Sequence, residues 1–178
     1  MRDNKIKILL VGFISIFVTL FLSSPLQAAN YFETTIYNIG FAGGDMAVDG
    51  SGNIYIADAN SYHVRKFNSS GVFQLQFGSA GTGDGQFSDV VGIAVDASGD
   101  VFVTDGNYRV LKFISSGIYK SNFAVLNNPK GIAFDGTDNL YVVQSDTSVI
   151  SKYTNAGVFI STFGSAGTGN GQFDSPSF

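Results

Sequence analysis

The stretch Ile93-Ala94-Val95-Asp96-Ala97-Ser98-Gly99-Asp100-Val101-Phe102-Val103-Thr104-Asp105 decides how this chain folds. It reads as a short apolar run, a turn built from Asp, Ser and Gly, and a second run rich in Val and Phe, the composition of two strands joined by a hairpin. The same sentence is written twice more. Met46-Ala47-Val48-Asp49 leads through Gly50-Ser51-Gly52-Asn53 to Ile54-Tyr55-Ile56-Ala57-Asp58, and Ile132-Ala133-Phe134-Asp135 leads through Gly136-Thr137-Asp138-Asn139 to Leu140-Tyr141-Val142-Val143-Gln144. Ala47, Ala94 and Ala133 mark spacings of 47 and then 39 residues.

Working outward, each copy continues alike. A third run follows as Val64-Arg65-Lys66-Phe67, Val110-Leu111-Lys112-Phe113 and Val149-Ile150-Ser151-Lys152-Tyr153. A second turn carries Ser69-Ser70-Gly71, Ser115-Ser116-Gly117 and Asn155-Ala156-Gly157, and a fourth run covers 72–77, 118–123 and 158–163. The turn glycines supply the positive φ that tight hairpins need. No part of 29–178 has useful helical periodicity. A four-stranded sheet that is apolar on both faces cannot bury itself. Copies at a period near 40 residues bury one another by stacking, and strand twist turns the stack into a ring of blades. The expected fold class is therefore all-β: a partial β-propeller of about three four-stranded antiparallel blades, with the ring incomplete. The expected divisions are an N-terminal arm at 29–42 and repeats at 43–91, 92–130 and 131–178, the last with a linker toward a further repeat.

The units resemble NHL repeats. The resemblance covers about 43–178, and its most specific pieces are Gly81-Thr82-Gly83-Asp84-Gly85-Gln86-Phe87 and Gly167-Thr168-Gly169-Asn170-Gly171-Gln172-Phe173. It implies a six-bladed propeller with a binding surface on one face, used mostly as a protein-interaction scaffold; some relatives are lyases or lactonases. Unit three departs from the pattern. Gln144 stands where Asp58 and Asp105 stand, Ser148-Val149 replaces Tyr62-His63 and Tyr108-Arg109, and the linker before Pro129 is short. If these positions line a site, that blade is expected to contribute less to it.

Both ends carry expectations. Arg2, Lys5 and Lys7, the uncharged run Ile8–Leu22 and the small residues Ala28-Ala29 follow the order of a secretory signal, cleaved after Ala28 or its neighbour. The expected location is secreted or cell-envelope, with membrane attachment only if 1–28 stays uncleaved. Glu33–Ile39 reads as an outer strand that would complete a last blade. Aligned on the two long linkers, Ser177-Phe178 falls where a fourth unit begins, so the chain is expected to be an N-terminal piece of a longer protein, or a short product that pairs with copies of itself. Either way its open last blade favours self-association.

Composition excludes several chemistries. There is no cysteine, so disulfides and Cys-ligated metals are out, and the single histidine, His63, cannot build a multi-histidine site. The chain is formally −4 and becomes −6 without residues 1–28, and no basic cluster exceeds Arg65-Lys66, so nucleic acid is not an expected partner. The glycine-rich linkers lack the Lys and the helix of a phosphate loop. Asp49, Asp96 and Asp135 open turns, where a carboxylate accepts backbone N–H bonds. Asp58 and Asp105 end strands, where a basic neighbour such as Arg109 is the expected partner. Asn68-Ser69-Ser70 fits the glycosylation acceptor pattern. The loops between second and third strands, on the same face as the linkers, form the expected binding surface, with Asn60, Tyr62, His63, Asn107, Tyr108 and Arg109 as contacts. No metal, no cofactor and no catalytic residue is expected. The first functional expectation is an exported, non-catalytic scaffold for protein or glycan; the alternative is part of a secreted propeller enzyme of lyase or metal-dependent lactonase type, although the only Glu is Glu33.

Overall fold

Alternation of Val, Ile, Phe and Tyr with smaller or polar residues puts apolar side chains on both sides of a pleated strand. The computed structural model describes residues 44–125 and 127–177, which lie within one compact unit beginning at Tyr37. The first sheet holds β1 (Met46–Val48), β2 (Ile54–Asp58), β3 (His63–Phe67) and β4 (Phe73–Phe77). The second holds β5 (Ile93–Val95), β6 (Val101–Asp105), β7 (Arg109–Phe113) and β8 (Tyr119–Ala124). The third holds β9 (Pro129–Phe134), β10 (Asn139–Gln144), β11 (Val149–Thr154) and β12 (Phe159–Phe163). Every strand pairs only with its sequence neighbours, so the three sheets are antiparallel meanders. A 3-10 turn at Ser145–Thr147 is the one helical element among the described residues. The signal segment, the N-terminal arm and its Glu33–Ile39 strand lie outside the described residues.

The sheets are blades. β1 lies beside β5 and β5 beside β9, so the short first strands gather along one line and the others fan away from it. Burial follows: β6 and β7 are buried throughout, while β12 is exposed throughout. Two apolar layers separate the blades. Tyr55, Ala57, Val64 and Phe77 of the first blade meet Ile93, Val101, Val103, Leu111 and Phe113 of the second. Ala94, Phe102 and Val110, on its other side, meet Ile132, Leu140, Val142 and Tyr153 of the third. Period-two alternation in β6 thus feeds both layers. Phe113 packs on the rings of Phe77, Phe87 and Tyr119 at centroid distances of 4.9, 5.6 and 5.9 Å. Truncating such a ring costs about 3–5 kcal/mol.

Polar details repeat as faithfully. Asp49 Oδ1 accepts the N–H groups of Ser51 and Asn53 at 2.9 Å each, Asp96 Oδ1 those of Ser98 and Asp100, and Asp135 Oδ1 those of Thr137 and Asn139. Lys66, Lys112 and Lys152 lie over the rings of their cross-strand partners Tyr55, Phe102 and Tyr141 at 5.0, 4.5 and 5.0 Å. From there Lys66 Nζ donates to Ser115 O at 3.0 Å, and Lys112 Nζ to Asn155 Oδ1 at 2.6 Å. Lys66 and Lys112 therefore tie their own blades to the turn before the last strand of the next, whereas Lys152 pairs with Asp135 of its own blade. In the sequence, the recurrence of Lys66, Lys112 and Lys152 at one place in every unit is the signal of this structural role.

Two expected placements differ. The third sheet starts at Pro129, ahead of the boundary drawn at 131, because the short linker after Ala124 lets β9 begin early. His63 and Arg109 were expected in loops. They are instead the first residues of β3 and β7, paired with Asp58 and Asp105. The preceding tyrosines take left-handed backbone, φ 57° at Tyr62 and 55° at Tyr108, which closes the hairpin one residue earlier.

Candidate functional site

In an up-down meander, the end of strand two, the start of strand three and the end of strand four all lie at one end of the sheet. The linker to the next blade leaves from that end, so the β2–β3, β6–β7 and β10–β11 loops share a face with the linkers. The contacts show it: a Cβ on Gly78, the first linker residue, would lie 3.1 Å from Tyr62 O, and Val125 N donates to Tyr108 O at 2.8 Å.

On the first blade, Asn60 is exposed and Tyr62 is partly exposed. A tyrosine in left-handed backbone costs about 1–2 kcal/mol relative to ordinary φ, which glycine would avoid. Beside it, Ser61 Oγ and His63 Nδ1 are buried without a hydrogen-bond partner among the described residues. Asp58, buried below, is paired through Arg65 Nη2 at 2.9 Å. His63, the basic residue expected near Asp58, is not its ion-pair partner: Arg65, two residues further along β3, reaches the carboxylate.

On the second blade, Asn107 is exposed and Tyr108 is 52% exposed. Arg109 is buried and committed. Its Nε donates to Asp105 Oδ2 at 2.7 Å, its Nη1 to Thr82 O at 2.8 Å and its Nη2 to Gln86 O at 2.7 Å. Asp105 Oδ1 takes the N–H groups of Ser88 and Asp89 and the Ser88 hydroxyl. The pair clamps the glycine-rich linker across the end of the blade. Inside that linker, Gln86 Oε1 accepts Gly83 N–H at 3.1 Å, and Gln172 repeats the bond to Gly169 at 2.9 Å. Arg109 thus shapes the face from beneath rather than presenting its charge to solvent.

On the third blade, Gln144 is buried, donating from Nε2 to Ser151 Oγ at 2.8 Å and to Tyr153 OH at 3.3 Å, and accepting on Oε1 from Asn127 Nδ2 at 3.1 Å. Burial pushes the Tyr153 phenol up, and the bonds from Ser151 and Gln144 work against that rise. Together with Phe159 and Thr162 these residues line a cleft of about 430 Å³. Blade three, expected to contribute less, carries this cleft. Gln144 and Val149, two of the residues that mark it as irregular, line this cleft.

No protein-family model matches the chain. Over 124 residues, 67% of this chain, it is 27% identical to the brain tumor protein of Drosophila melanogaster, of which it spans 12%. Among solved structures, it is similar to the WD40 repeats of RRP9 (TM-score 0.57, 20% identity, 66% of this chain and 37% of that one). It is also similar to virginiamycin B lyase of Staphylococcus aureus (TM-score 0.55, 16% identity, 66% of this chain and 39% of that one). With three four-stranded meanders side by side, these likenesses define the class: the chain has the fold of a β-propeller repeat protein and holds three blades of it.

Proposed function

We propose that this chain is a non-catalytic scaffold that binds a protein partner on the face formed by the strand-two-to-three loops and the linkers. One observation carries the reading: Tyr62 and Tyr108, at equivalent places on adjacent blades, keep exposed rings on left-handed backbone. Such costly conformations persist where function or surrounding structure demands them, and exposed tyrosine is an economical contact residue. Asn60 and Asn107 complete the surface, with His63 at the start of β3 beside Tyr62 and Arg109 positioning it. The test is selection of displayed peptides on immobilised protein beside a glycan array. Peptide binders lost in the Tyr62→Ala/Tyr108→Ala variant, at unchanged melting temperature, support the reading. Selection of glycans alone, or binders indifferent to both tyrosines, refutes it.

Within this proposal the repeats are NHL-type blades of a six-bladed ring and the protein is exported, its mature N-terminus at Ala29; mass spectrometry of the product in the medium or envelope checks the latter. Self-association belongs here too. Tyr141, Ile150 and Phe163 occupy on blade three the places of Phe102, Val110 and Phe123, which on blade two face the next blade. Phe163 is 48% exposed. Sedimentation showing a concentration-independent monomer would remove this part. The lyase or lactonase alternative draws on lyases being among the fold's neighbours; among the described residues no group of three or more His, Cys, Asp or Glu side chains gathers to hold a metal ion.

A further inference from the structure

The first blade reaches the second through the long linker between Phe77 and Ile93, and the linker's Phe87 is fully buried against blade two. Its ring lies 5.6 Å from that of Phe113, which meets Tyr119 edge-on at 5.9 Å and 76°. The second blade reaches the third through 125–128 alone, and no phenylalanine lies in that span.

The seat is nevertheless present. By register, Tyr153 and Phe159 take the places of Phe113 and Tyr119, and their rings meet at 5.8 Å and 75°, nearly the same geometry. Ser151 replaces Leu111, and Gln144 stands where Asp105 accepts the linker's N–H groups. The ground that the linker covers on blade two is open on blade three as the 430 Å³ cleft, and Phe159 on its wall is 56% exposed.

We infer that this cleft is a binding site for one aromatic side chain on an extended, glycine-containing segment of the partner protein. It is seated as Phe87 is seated on blade two. The aromatic pair supplies the apolar floor, and Gln144 and Asn127 supply uncharged hydrogen-bonding groups for the segment's backbone. Ser151, where blade two has leucine, favours a ring that carries a hydroxyl, so tyrosine is preferred to phenylalanine. The inference rests on the scaffold reading above, because the partner's segment enters beside Asn127 and Gln144 on that face, and its anchor reaches along the blade to Tyr153 and Phe159.

The probe is a labelled synthetic peptide with the sequence of residues 80–89, titrated onto the full chain by fluorescence anisotropy, beside versions carrying Phe87→Tyr and Phe87→Ala. The expected result is saturable binding, at least threefold tighter for the tyrosine peptide and absent for the alanine one. Phe159→Ala changes an exposed ring and is expected to weaken binding at least tenfold at unchanged melting temperature. Ser151→Leu, which restores the blade-two residue, is expected to abolish the tyrosine preference. No binding, equal binding of the alanine peptide, or indifference to Phe159→Ala overturns the inference and leaves the scaffold reading to its own selection test. If the peptide instead dissolves a dimer of the chain in sedimentation, the occupant is a second copy's 164–173 segment and the partner assignment falls.

Discussion

Arg109 shows how far one side chain can be from its apparent role. In sequence it is a basic residue beside a tyrosine on a surface loop. In the structure it is buried, with a carboxylate and two linker carbonyls as its partners. Removing one partner of a buried pair strands the other charge. Arg109→Ala is expected to cost about 3–5 kcal/mol in urea unfolding, and Arg109→Lys to recover only part, because lysine lacks the planar fork. A loss below about 1 kcal/mol would show that the clamp does not hold the linker. The Asp105–Arg109 partnership was legible from proximity in sequence. The linker carbonyls were not, because they arrive from 23 and 27 residues away.

At the scale of the element, neighbouring blades meet through their turns. Gly157 has φ 81°, and a Cβ there would lie 2.5 Å from the Phe123 ring of blade two; Gly117 stands in the same relation to Phe77. Gly136 has nothing within 4 Å. Gly157→Ala should therefore lower stability by about 2 kcal/mol or more, whereas Gly136→Ala should stay within about 0.5 kcal/mol; chemical denaturation of both variants compares them. The lysines divide in the same way. Lys112 is enclosed by Asp96 at 3.4 Å, Asp100 at 3.0 Å and Asn155. Lys152 pairs with Asp135 at 3.4 Å in a more open setting. Lys112→Ala is expected to cost about 3 kcal/mol, and Lys152→Ala no more than about 1 kcal/mol. Equal costs would mean that the bond between blades contributes little. The cleft on blade three also belongs to this scale. Gln144 and Val149 were visible as departures from the repeat, but Tyr153 and Phe159 follow it, and what leaves them uncovered is a shorter linker rather than any residue present.

Across the molecule, carboxylates set the response to acid. Burial alone would raise Asp49 and Asp100, but hydrogen bonds from Asn53, Ser51 and Tyr55 to the first, and the pairing of the second with Lys120 and Lys112, hold both below their ordinary values. The Asn139 side chain and backbone, with Thr137, hold Asp135 lower still. These groups bind protons more readily unfolded than folded. Their stabilisation is complete above the unfolded value of about 3.9 and is lost as pH falls through the depressed folded values. Melting temperature should therefore be flat from neutral pH down to about 4 and fall steeply below it. Asn139→Ala should blunt the fall; a profile unchanged by that variant would show that the turn carboxylate is not responsible.

By itself, the sequence determined the all-β class, the number of units, their strand order and the chemistry of their turns. These follow from period-two alternation and from backbone preferences that act within a few residues. Only the tertiary structure decided which loop side chains are spent in holding the blades together, and where the shared face opens into a cleft. Both depend on what the neighbouring blade places opposite, and packing across a gap leaves no mark on the local pattern of a chain.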